Sequence, residues 1–167
     1  MSAFYGLGGA RLMWDGIPIY PSGQHPYGND VLLQHAADWF GGDHHAGAVV
    51  TLVDALVLDA GMLSRLDARC WAPVDHEPVP PAVGEVLLRS GCQPWAMTRH
   101  AEAAMRAIGL TPAYVPHGID TDVFVPLDRA ESRRALGLPE QCFLVGMVAA
   151  NKGYPARKGF SQAIEAY

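Results

Sequence analysis

Apolar positions in this chain recur in two alternating rhythms. Val31, Leu32, His35, Ala36, Trp39 and Phe40 fall at helical spacing, with Asn29 or Asp30 as the expected N-cap and Gly41-Gly42 as the stop. The run Ala48-Val49-Val50-Thr51-Leu52-Val53 is β-branched and nearly all apolar, as a strand covered on both faces should be. Further strands are predicted over residues 3–5, 69–74, 94–98, 112–115 and 143–149, and residues 14–21 read as turn and strand. Helices are predicted over residues 60–66, over 83–88 with Pro81 near its first turn, and over 99–108 closed by Gly109. Two more span 128–136, with Asp128 and Glu131 spaced as a capping box, and the stretch from about Arg157 through Phe160, Ala163 and Ile164. Repeated β-α alternation with short connections predicts an α/β fold: a Rossmann-like parallel sheet with helices on both faces.

Composition narrows the class. Half of the 167 residues are hydrophobic and 17% are charged, the balance of a globular chain with one good core. A net charge of -5 provides no basic field for phosphate counterion release, so nucleic acid is not expected as a partner. The late basic residues Lys152, Arg157 and Lys158 instead form a local cluster suited to a small anion. Cys70, Cys92 and Cys142 are odd in number, widely spaced and free of a C-x-x-C pattern, so they are expected as buried free thiols of a reducing cytoplasm. The first residues show no basic segment followed by an apolar one, so no secretory signal is read. Residues 46–58, the most apolar stretch, are interrupted by Asp54 and fall short of the roughly 20 residues of a spanning helix. A cytoplasmic location is expected.

Three motifs invite chemistry. Gly6-Leu7-Gly8-Gly9-Ala10 would begin a dinucleotide fingerprint, but Arg11 stands where the last glycine belongs and a turn-strand pattern follows. A β-turn is expected there, and an NAD-dependent oxidoreductase is disfavoured. His44 and His45 have no third metal ligand at a sensible spacing, so a solvated loop is expected. The third motif, Asp75-His76-Glu77-Pro78-Val79-Pro80-Pro81, follows a strand as a proline-stiffened loop, the position where open α/β sheets place ligands. An imidazole exchanges protons near neutral pH, and Asp75 is placed to orient His76. Its bland alternative is a histidine that only caps the turn.

The stretch from Tyr114 to Phe160 carries YVPHGID, then DVFVP, RRALGLP, an apolar run and a basic loop ending RKG. This order resembles the hinge of group 1 glycosyltransferases, a retaining family of the GT-B fold with two Rossmann-like halves. The resemblance implies an N-terminal acceptor-side domain over residues 1–122, incomplete at its start, and a connector over 123–140. Residues 141–167 would begin a C-terminal nucleotide-sugar domain with its first β-α unit. It implies sugar transfer from a nucleotide-diphosphate donor to an unknown glycan, lipid or small-molecule acceptor, with retention and without metal or cofactor. Lys152 and Lys158, with Arg157 beside them, would hold the donor diphosphate; this chain has Asn151-Lys152-Gly153 where many relatives have Gly-Arg. His76 and Asp75 would serve the transferred sugar or acceptor, while His117, Gly118 and Asp120 form the hinge turn. Gly118 is expected to supply unusual torsions and Asp120 to bond local N–H groups. The resemblance leaves room for peripheral membrane contact by the full-length protein. Relatives begin earlier and continue further, so an inactive fragment is expected; a non-catalytic nucleotide- or phosphate-binding module is the alternative.

Overall fold

The computed structural model describes residues 11–150 and 158–167. The strand expected over residues 3–5, the glycine turn after it, and two of the basic residues, Lys152 and Arg157, lie outside the described residues. Two compact units are present, residues 1–118 and residues 119–167.

The first unit opens with an antiparallel hairpin of β1 (Leu12–Trp14) and β2 (Ile17–Ile19), pairing Leu12 with Ile19. Asp15 and Gly16 connect them with φ of 51° and 77°, the paired positive values of a type I′ turn, whose twist suits a two-residue hairpin. Helix α1 (Leu32–Trp39) follows, but neither expected N-cap residue caps it. Asp30 accepts from the Gln24 N–H of its own loop, while Asn29 donates to Val57 O and accepts from the Asp59 N–H. Partners remote in sequence outcompete the local cap.

From there strands and helices alternate: β3 (Ala48–Leu52), α2 (Ala60–Leu63), β4 (Asp67–Ala72), α3 (Pro81–Ser90), β5 (Gln93–Ala96), α4 (Arg99–Ala107) and β6 (Ala113–Tyr114). Asp59 caps α2 by accepting from the Met62 N–H at 2.6 Å, and Thr98 Oγ1 caps α4 by accepting from the Ala101 N–H at 3.0 Å. Pro81 occupies the first turn of α3, and Gly91 ends that helix at φ 63°, a conformation that costs a residue with a Cβ.

The four strands β3 to β6 form one parallel sheet in the order β3-β4-β5-β6. Every crossover therefore steps in the same direction, and right-handed crossovers of that kind place their helices on one face. Burial follows that rule. Ala68, Cys70 and Ala72 of β4 and Ala96 of β5 join Leu63, Val83, Leu87, Ala101 and Met105 in one buried cluster. On the opposite face Val50 and Leu52 are exposed and Trp71 and Trp95 are half-buried. Among the described residues the helices thus cover one face, where coverage of both was expected. Strand β3 differs correspondingly, being an edge strand among those residues rather than a doubly covered one.

Cys70 and Cys92 are buried as expected, whereas Cys142 is only half-buried. The neighbouring Cys92 sulfur, together with burial, pushes the Cys70 pKa up, while the Cys70 neighbour draws that of Cys92 down. No described helix is long and apolar enough to cross a membrane.

In the second unit, α5 (Arg129–Ala135) has Asp128 as its cap, accepting from the Glu131 N–H at 2.8 Å. Helix α6 spans Phe160–Ala166. The strand expected over residues 143–149 does not form: that segment has no strand partner among the described residues and exposes Phe143 and Val148. A strand needs a neighbour to take its N–H and C=O groups, and strand-forming sequence does not supply one.

Candidate functional site

In parallel α/β sheets, chemistry gathers at the carboxyl ends of the strands. Here the ends of β4, β5 and β6 bring forward three short segments: Val74-Asp75-His76, Met97-Thr98 with Arg99-His100 at the start of α4, and Val115-Pro116-His117.

Asp75 and His76 meet directly, with Asp75 Oδ1 2.6 Å from His76 Nδ1. Because a carboxylate only accepts, Nδ1 carries the proton, which leaves Nε2 to exchange a proton with a bound molecule. The bond to His76 holds the Asp75 carboxyl below its usual range, and the charge of His100 acts in the same direction. Both side chains are largely solvent-exposed, at 70% for His76 and 86% for Asp75. Water therefore screens the pair, and its value lies in orientation rather than stability.

His117 turns the other way. Its Nε2 lies 3.2 Å from the Met97 sulfur, and its ring rests 4.7 Å from that of Trp71. A thioether only accepts, so Nε2 is the donor. Trp71 in turn donates Nε1–H to Val115 O at 2.8 Å, which ties the end of β4 to the segment leaving β6. Arg99 stacks 3.7 Å from the Tyr114 ring centroid and pairs with Glu102 at 2.7 Å, so its charge is already engaged.

Gly118 departs from expectation. It is not among the glycines of positive φ, and a Cβ there would meet open space. Its backbone thus makes no demand that only glycine meets. Asp120 behaves as expected for an Asx turn, its Oδ1 accepting from the Asp122 N–H at 3.0 Å. Lys158 is exposed, just before the short helix α6.

Sequence reasoning singled out Asp75, His76 and His117 but missed Trp71, Met97, Arg99 and His100. Their signal was positional, since each lies within or just past the last residues of a predicted strand. The rings of His44 and His45 lie 4.2 Å apart and tilted at 42° to each other, between α1 and β3. Among the described residues, no cluster of three or more His, Cys, Asp or Glu side chains could hold a metal.

No protein-family model matches this chain, and neither a curated protein nor a solved structure is similar to it. What the coordinates define is therefore a class, an α/β protein built on a four-stranded parallel sheet with a small antiparallel hairpin.

Proposed function

We propose that this chain is part of a group 1 type glycosyltransferase of the GT-B kind, which moves a sugar from a nucleotide-diphosphate donor to an acceptor with retention. The observation that carries the reading is the carboxylate-oriented imidazole of His76 at the mouth of a parallel sheet, in a chain whose later sequence runs through the hinge phrase to the RKG loop.

In this reading His76, aligned by Asp75, faces the reacting sugar or the acceptor hydroxyl. Lys152, Arg157 and Lys158 supply positive charge to the donor diphosphate. That diphosphate gains negative charge as the glycosidic bond breaks, so fixed cations stabilise the transition state more than the ground state. The chemistry calls on no metal. A peripheral contact with a membrane would suit a lipid acceptor.

The test is titration of the chain with nucleoside diphosphates by calorimetry, paired with a sugar-transfer assay on the chain and on any longer protein that contains it. His76→Ala should lower turnover by about 100-fold or more, the usual share of a general acid or base, with diphosphate affinity unchanged. Lys158→Ala should weaken diphosphate binding. Transfer that survives His76→Ala would remove that residue from the chemistry. Diphosphate binding with no transfer in any form of the protein would favour a non-catalytic nucleotide-binding module.

A further inference from the structure

Burial sets two thiols side by side in the first unit. Cys70 lies in the middle of β4 and is 1% exposed; Cys92 lies in the turn between α3 and β5 and is 8% exposed. The parallel register places Arg69 opposite Gln93 and Cys70 opposite Pro94. Cys92, two residues before Pro94, therefore shares the helix-covered face with Cys70 and is its diagonal neighbour. The two sulfurs are within hydrogen-bonding reach of each other. A hydroxyl stands beside each: Thr51, opposite Cys70 on β3, and Ser90, at the end of α3. The partners are not equivalent. Cys92 is the more exposed, and Cys70 and then Ser90 draw its thiol toward the thiolate, the form that acts as nucleophile.

We propose that Cys70 and Cys92 form a modification site, a dithiol that hydrogen peroxide oxidises to a reversible intramolecular disulfide. The Cys92 sulfur attacks one oxygen of the peroxide and becomes a sulfenic acid, while its proton leaves with the other oxygen as water. The Cys70 sulfur then attacks the sulfenic sulfur. An S–S bond forms, and the hydroxyl departs with the Cys70 proton as a second water. Two electrons pass from the thiols to the peroxide, and a dithiol reductant returns them. An oxidant hardly larger than water suits a sulfur so little exposed, where a glutathione disulfide is too bulky. A disulfide needs its Cα atoms within about 7 Å, closer than diagonal neighbours of a regular ladder stand. That adjustment falls on Cys92, which precedes the first paired residue of β5, follows Gly91 at φ 63°, and has its N–H on a long bond of 3.3 Å to Ser90 Oγ. The bond closes a covalent loop around α3 and the segment bearing Asp75 and His76, but it uses neither side chain. The proposal therefore stands or falls independently of the transferase reading.

The test treats the folded full chain with a few equivalents of hydrogen peroxide, followed by intact-mass measurement and tryptic mapping without reductant. The expected result is a loss of about 2 Da from the 17.9 kDa chain, reversed by dithiothreitol. Cleavage after Arg69, Arg89 and Arg99 puts the two cysteines in separate peptides, 70–89 and 90–99, which should stay linked, while Cys142 falls in another. Cys70→Ala should stop at the Cys92 sulfenic acid, captured by dimedone, and Cys92→Ala should leave Cys70 reduced. Circular dichroism melts verify that both variants fold, and where one does not, the linkage in the unaltered chain decides. Cys70 and Cys92 both free after treatment overturn the proposal. So does a Cys92 sulfinic acid without linkage, or linkage that appears only once urea has unfolded the chain, which would leave the pair as packing alone.

Discussion

Residues 1–118 and residues 119–167 carry the same kind of apolar patterning and end in different states. In the first unit Leu63, Leu87 and Met105 are fully buried, each at 1% exposure or less. In the second, Phe143 is 84% exposed, Ile164 77% and Phe124 69%. Among the described residues the first unit has a two-stranded hairpin and a four-stranded sheet, and each strand of that sheet satisfies its neighbour while its inward side chains meet a helix. Two short helices are the second unit's only regular elements among the described residues. Its one buried charged residue among those described is Arg133, whose guanidinium Nη1 donates to the carbonyls of Pro139, Glu140 and Cys142 at 2.8–3.0 Å. One unit is held by apolar packing, the other by a polar clamp.

The contrast can be broken most sharply by truncating apolar residues on both sides. Leu87→Ala should cost about 2–5 kcal/mol in denaturant unfolding, through lost burial and the cavity left behind. Phe143→Ala should change stability by less than about 0.5 kcal/mol, as exposed substitutions do. Equal costs would mean that Phe143 is covered in solution.

A second experiment addresses the clamp. Arg133→Ala leaves three carbonyls without their donor, and a loss of about 1–3 kcal/mol is expected. Hydrogen exchange should place that loss in α5 and the residues after it, leaving β4 and β5 protected. Arg133→Lys recovers part of it, because a single ammonium also donates three bonds but lacks the planar fork.

The caps provide a finer comparison. Thr98→Ala and Asp128→Ala each remove one acceptor from a helix start and should cost about 1 kcal/mol. In the first unit the loss should appear in the cooperative melt. In the second it should appear as fraying of α5, seen in amide exchange and not in the main transition.

Acid separates surface charge from core. The Glu102 carboxyl is lowered first by its bond from Arg99 and then by Arg106. A depressed carboxyl adds stability above its ordinary value of about 4.5 and loses it as pH falls through the lowered one. Glu102→Gln should flatten that part of the pH–stability curve and leave neutral-pH unfolding nearly unchanged, a small effect because water screens the exposed Arg99 and Arg106.

Much of the fold was legible. The β-α order from residue 48 to residue 114, the proline start of α3, and the glycine that closes α4 were all readable, because each depends on neighbours a few residues away. Of the candidate site, the Asp75–His76 pair was legible as adjacent residues in a stiff loop. The Trp71–His117 contact was not, since it joins residues brought together only by the parallel register of β4, β5 and β6. Asn29 illustrates the same limit. Its side chain suits a helix cap, but Val57 and Asp59 claim it.

What this sequence determined by itself was which segments become helices and where strands can form, since turns and side-chain rhythm act over a few bonds. Among the described residues, tertiary structure decided which face of the sheet is covered, that β3 is an edge, and that residues 143–149 do not join a sheet. Those outcomes depend on a second surface. A strand or an apolar face is completed only by a partner, and a pattern along one segment does not say which partner arrives.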